Sequence, residues 1–153
     1  MAKKSNLTCF DVADYFLSLV DEDTGDSVSN LKLQKLAYYA QGFNIAFYNE
    51  PLFKERIEAW QHGPVIPDLY DKYKVFDGHP IDKPSKVDFS KYSERDQELL
   101  NEIYEHFGQF SAWKLRDMTH QEPPWIRGNK RISKLVTEAD MKAYFSTQID
   151  DET

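Results

Sequence analysis

The sequence predicts a mainly α protein: a compact single-domain bundle of about six helices with a small β-hairpin-like element around residues 52–60. Three observations carry this. Apolar residues recur at i, i+3, i+4 and i+7 in most segments, the helical period. Thr8 and Ser93 each precede such a segment with Asp three residues on, a helix-capping signature. One short run, residues 56–60, alternates polar and apolar as a strand does. At 153 residues one domain is expected, with a core over about residues 7–146 and an acidic tail over 147–153.

The first helix follows Thr8 and gathers Ala13, Phe16, Leu17 and Val20 on one face. The run Asp21-Glu22-Asp23-Thr24-Gly25-Asp26 ends it as a solvated acidic turn; it lacks the spaced ligands and closing Glu of a calcium loop. The second helix is capped by Ser29 or Asn30 and reaches Tyr48. Leu33, Leu36, Ala37, Ala40, Phe43 and Phe47 form a broad stripe that Tyr38 and Tyr39 widen, so this is the expected central helix. Gly42 in its middle costs about 1 kcal/mol relative to Ala, which a close helix crossing would explain.

Asn49-Glu50-Pro51 reads as a turn, and Leu52-Phe53 is a candidate partner for the 56–60 strand. Gly63-Pro64 is expected to end that strand, because proline has no N–H for a ladder. Pro67 suits the first turn of a third helix, with Ile66, Leu69, Tyr70 and Tyr73 inward and Gly78 as its stop. Residues 78–92 have no periodicity and read as a long connection, a kind that is functional or mobile. The fourth helix starts at Ser93, buries Leu100, Ile103, Tyr104 and Phe107, and ends at Gly108. Ser111 caps a fifth that carries Ala112, Trp113, Leu115 and Met118. Glu122-Pro123-Pro124-Trp125 is expected to break the chain, since tandem prolines cannot continue a helix. Arg127-Gly128-Asn129-Lys130-Arg131 is then a basic loop. Thr137 caps a last helix with Met141, Tyr144 and Phe145 inward, and residues 150–153 are expected to fray.

A net charge of −7 disfavours nucleic acid and anionic membrane as partners, because both are polyanions. No apolar run approaches the ~20 residues needed to span a bilayer, and no apolar segment follows the basic N-terminus as in a signal peptide. The single cysteine, Cys9, excludes an internal disulfide. A cytoplasmic location is therefore expected.

Catalysis finds little support. There is no nucleophile elbow, P-loop or dinucleotide fingerprint. His62, His79, His106 and His120 have no zinc spacing, so neither a metal nor another cofactor is expected. Glu102 and His106 stand at i, i+4 and read as a surface pair. Cys9 near the start of an amphipathic helix reads as a small buried residue rather than a nucleophile. Trp60, Trp113 and Trp125 belong to a type that anchors cores and dominates interface hot spots. Trp60 is expected in the core; Trp125 either is exposed or packs its loop down.

Leu33-Gln34-Lys35-Leu36-Ala37-Tyr38-Tyr39-Ala40-Gln41-Gly42, then Pro51-Leu52-Phe53, then the run Ile57-Glu58-Ala59-Trp60-Gln61-His62-Gly63-Pro64-Val65-Ile66-Pro67-Asp68-Leu69-Tyr70, resemble the Panacea domain. That family also goes by "phage-associated protein" and includes the SocA-like antitoxins. The likeness continues through Trp113-Lys114-Leu115-Arg116-Asp117-Met118-Thr119-His120 and Pro124-Trp125. It implies a mainly helical domain with a minor β element. It also implies an antitoxin that neutralises a cognate toxin by direct protein contact, with delivery of a partner to a cellular protease, or a phage regulatory role, as the alternative. An enzyme using His62 or Cys9 is the third reading.

The expected contact residues come from two regions: His62, Val65, Asp68 and Tyr70 around the Gly63-Pro64 break, and Trp125, Arg127 and Arg131 after the tandem prolines. The loop over residues 78–92 is a third region of interest.

Overall fold

The computed structural model describes residues 6–149. Within them the chain forms α1 (Cys9–Ser18), α2 (Asn30–Tyr48), β1 (Ile57–Trp60), β2 (Gly63–Val65), α3 (Pro67–Tyr73), α4 (Glu94–Phe107), α5 (Ala112–Thr119), α6 (Pro123–Lys130), β3 (Leu135–Val136) and α7 (Glu138–Phe145). The architecture is mainly α, as expected, with one three-stranded antiparallel sheet in the order β2-β1-β3. The expected frayed tail at 150–153 lies outside the described residues.

The helix starts follow the capping chemistry. Thr8 and Ser93 each accept from the third helical N–H, and Asp11 and Asp96 accept in return from the cap N–H. Ser29, Ser111 and Thr137 cap α2, α5 and α7 through their hydroxyls. Such a cap is worth about 1 kcal/mol.

Helix α2 is the axis. It packs against α1, α3, α4, α5, α7 and β2, so nearly its whole circumference is buried. Leu33, Leu36, Ala37, Tyr38, Tyr39 and Ala40 lie in the core. Phe47 does not: at 50% exposure it has run past the end of the core, its ring tilted against those of Phe43 and Tyr48. Gly42 marks a close crossing. The ring of Phe145 from α7 occupies the space a Cβ there would fill.

The polar residues of α2 are buried as well, and four of them serve the backbone between Glu50 and Ile66. Gln41 Oε1 accepts from Leu52 N–H at 2.6 Å and Phe53 N–H at 3.3 Å, while its Nε2 donates to Phe53 carbonyl at 2.8 Å. Gln34 Oε1 accepts from Ile66 N–H at 2.9 Å. Lys35 Nζ donates to Pro64 carbonyl at 3.1 Å, and Asn44 Nδ2 to Glu50 carbonyl at 2.8 Å. Non-sheet backbone runs through the interior here, so its polar groups need partners.

Two elements differ from the sequence reading. The hairpin is β1–β2, with Glu58 opposite Val65 and Trp60 opposite Gly63, and not a pairing with Leu52-Phe53, whose backbone is held by Gln41. Pro64 is tolerated because it faces Ala59, whose N–H points the other way, to Lys134 carbonyl at 2.7 Å. Pro64 thus stands on an edge strand at a position that asks for no donor. The second difference is α6. The tandem prolines start this helix instead of breaking the chain, and the residues read as a basic loop are its last turn. First-turn N–H groups have no helical acceptor, so prolines at the first two positions forfeit nothing.

The 78–92 connection has little regular structure but is strapped to α1 and to the segment between α1 and α2. Ile81 N–H donates to Val28 carbonyl, Lys83 Nζ to Val20 carbonyl, and Tyr92 hydroxyl to Asp11 carbonyl at 2.7 Å.

Candidate functional site

The hairpin and α3 bring three of the seven expected contact residues, His62, Val65 and Tyr70, around one cavity. Ile57 and Ala59 point into the core, whereas Glu58 and Trp60 face outward, the alternation a half-buried strand requires. Trp60 is therefore half-buried rather than core. Its ring meets Tyr70 of α3 edge-on at 5.2 Å, and its Nε1 donates to Glu58 Oε1 at 2.9 Å. The turn after β1 presents His62 to solvent. Gly63 has φ +110°, and a Cβ there would meet Lys35 Cε at 2.6 Å and Thr119 Oγ1 at 2.9 Å, so only glycine fits this turn.

His62 is placed by α5. Arg116 Nε donates to His62 Nδ1 at 3.2 Å, and the His62 ring lies 5.7 Å from that of Trp113. The Arg116 guanidinium sits 4.6 Å from the Trp113 ring centroid and pairs with Asp117 at 2.9 Å. Trp113 is 55% exposed. Leu115 and Thr119 define the inner face of α5, and Trp113, two residues from Leu115, lies off it. That spacing was legible, yet Trp113 and Arg116 are absent from the expected contact set.

His62, Val65 and Tyr70 line one cavity of about 380 Å³ together with Trp60. Val65 itself is buried, so it shapes this cavity more than it offers surface. Asp68 stands apart, exposed in the first turn of α3. Trp125 adjoins the face from α6: its Nε1 donates to Trp60 carbonyl at 2.8 Å, and its ring stacks on His120 at 4.2 Å. It is half-buried and ties α6 to the hairpin. Burial first, then the positive charge of Arg116, holds the His120 pKa below its ordinary value. Arg127 and Arg131 converge instead on Asp140 of α7, at 3.7 and 2.5 Å.

The other candidate chemistry does not assemble. Cys9 is fully buried, and burial with the nearby Glu55 carboxylate pushes its thiol up to about 12, opposite to what a nucleophilic thiolate needs. No ion pair joins Glu102 to His106 among the described residues; the His106 ring packs on Phe107 and Phe110. Among the described residues no three His, Cys, Asp or Glu side chains are grouped to hold a metal ion. No helix among them is long and apolar enough to cross a membrane.

The family model described as "Antitoxin SocA-like, Panacea domain" matches residues 33–126. Among curated proteins, Antitoxin SocA of Caulobacter vibrioides (strain NA1000 / CB15N) is 31% identical over 109 residues. The match takes in 64% of this chain and 58% of that relative's length. No solved structure matches the chain.

Proposed function

Because the chain belongs to the SocA-like Panacea domain family, we propose that it is an antitoxin that neutralises a cognate toxin by binding it directly, through the face built around the β1–β2 hairpin. The observation that carries this is the family match over residues 33–126, a segment that includes Trp60, His62, Val65, Asp68, Tyr70, Trp113, Arg116 and Trp125. The role asks for a surface and no chemistry. Half-exposed Trp and Tyr beside an Arg, around a cavity, are the composition of an interface hot spot. The complex forms in the cytoplasm, and the net charge of −7 suits a basic partner.

Co-expression with the product of the adjacent gene tests the function. That product alone should arrest growth, and this chain should restore it and co-purify with it. A non-toxic neighbour, or arrest that persists in the presence of this chain, overturns the reading. Restoration should also hold in a strain lacking the major cytoplasmic proteases. Restoration lost there would make the chain a proteolytic adaptor instead. For the surface, Trp113→Ala combined with Tyr70→Ala should weaken the complex by roughly ten-fold or more. Unchanged affinity in the doubly substituted protein would place the contact elsewhere.

A further inference from the structure

A second cavity, of about 430 Å³, shares no lining residue with the one at the hairpin. Its walls are rings, Tyr39 and Phe43 of α2, Phe107 of α4 and Phe145 of α7, and its lining includes Glu122. That side chain is all but withdrawn from water, at 6% exposure. Its Oε1 accepts from Tyr38 hydroxyl at 2.8 Å and its Oε2 from Tyr39 hydroxyl at 2.7 Å. A carboxylate offers about four acceptor positions, so about two are left. Both donors are neutral. Among the described residues no Lys, Arg or His forms an ion pair with Glu122.

A nearly buried carboxylate without a cation, walled by aromatic rings, selects its ligand by charge and by shape. An anion is repelled by Glu122 and by Glu102, which also lines the cavity. A neutral apolar ligand would leave the carboxylate unpaired in a drier site than before. A hard metal ion needs several oxygen ligands, and among the described residues no three His, Cys, Asp or Glu side chains are grouped to supply them. An organic ammonium meets each requirement: its charge answers the carboxylate, its N–H completes the acceptor set, and its apolar body lies against the rings. We propose that this cavity is a binding site for a primary ammonium carried on an apolar stem, with Glu122 as its counter-ion. The site is independent of the toxin contact proposed above.

Calorimetric titration of the full chain with 2-phenylethylamine, against 2-phenylethanol as the uncharged counterpart, tests this. The amine should bind saturably and the alcohol roughly ten-fold more weakly or worse, since a charged hydrogen bond separates them. Glu122→Gln should remove that preference. Should this variant fail to fold, Met118→Trp narrows the cavity without touching the carboxylate and should abolish amine binding. A blocked Phe-Lys dipeptide amide identifies the source of the ammonium. Binding by the dipeptide alone marks a lysine of a protein partner, and binding by the free amine alone a small metabolite. Equal binding of amine and alcohol, no binding by amine or dipeptide, or amine binding untouched by either variant overturns the proposal.

Discussion

Lys35 and Glu122 are buried ionisable side chains, and neither takes part in an ion pair among the described residues. Burial, helped by the charge of Arg116, lowers the Lys35 ammonium from 10.5 to about 7. Burial raises the Glu122 carboxyl from 4.5 to about 7, against the pull of the tyrosine hydroxyls around it. Between pH 4.5 and about 7 the native chain holds the Glu122 proton more tightly than the unfolded chain, so this group's contribution to stability falls as pH rises. From about 7 to 10.5 the unfolded chain holds the Lys35 proton more tightly, so that contribution rises with pH. Each slope is at most about 1.4 kcal/mol per pH unit. The groups facing Glu122 are Tyr38 and Tyr39 of α2, Tyr144 of α7, and Glu102 and His106 across the cavity; Arg116 faces Lys35. Chemical denaturation across this range should show Glu122→Gln flattening the acid limb alone and Lys35→Met the alkaline limb alone. Gly42 gives a second test at this scale. Alanine is the better helix former by about 1 kcal/mol. Its methyl would fall within the buried Phe145 ring, and overpacking of that kind costs about 1–3 kcal/mol. The overlap is deep enough for the steric cost to win, so Gly42→Ala should lower the melting temperature.

At the level of elements, the inward polar groups of α2 do work that sheets usually do. Gln41 alone satisfies two N–H groups and one carbonyl of the Leu52-Phe53 backbone. Each buried backbone group left without a partner costs about 1–3 kcal/mol. Gln41→Ala should therefore destabilise by at least about 2 kcal/mol in urea unfolding, and Gln41→Met, which fills the volume without the amide, should recover little. This division also explains which elements were legible. Helices with an amphipathic face and a capping Ser or Thr had starts readable to the residue, α1 and α4 among them, although α1 stops at Ser18, short of Val20. Helix α6 was not, because proline speaks against helix everywhere except the first turn, and only the fold decides which case applies. The hairpin partner was misassigned for a related reason. Proline argues against a strand unless the strand lies at an edge and the position lacks a hydrogen bond, and both are properties of the assembled sheet.

For the whole molecule, the hairpin face separates residues that hold the fold from residues that only face outward. Residues 62–70 were legible as a candidate because their motif is distinctive, but the contribution of α5 was not, since the approach of Arg116 to His62 is a tertiary contact across 54 positions. Trp113 and Trp125 make the separation measurable. Trp125 donates to Trp60 carbonyl and stacks on His120, so it bridges α6, the hairpin and the end of α5. Trp113 has over half its surface in water, and its ring contacts are to the exposed His62 and the Arg116 guanidinium. Truncating a large aromatic that is packed this way costs about 3 kcal/mol or more, whereas surface substitutions stay within about 0.5 kcal/mol. Trp125→Ala should thus shift the urea midpoint strongly and weaken capture of the proposed toxin along with it. Trp113→Ala should leave the midpoint in place and weaken capture on its own. The two variants, measured side by side by equilibrium unfolding and by co-purification with the toxin, test whether this face binds a partner or merely closes the core. If Trp113→Ala leaves capture intact, the aromatic surface around the hairpin is packing and no more.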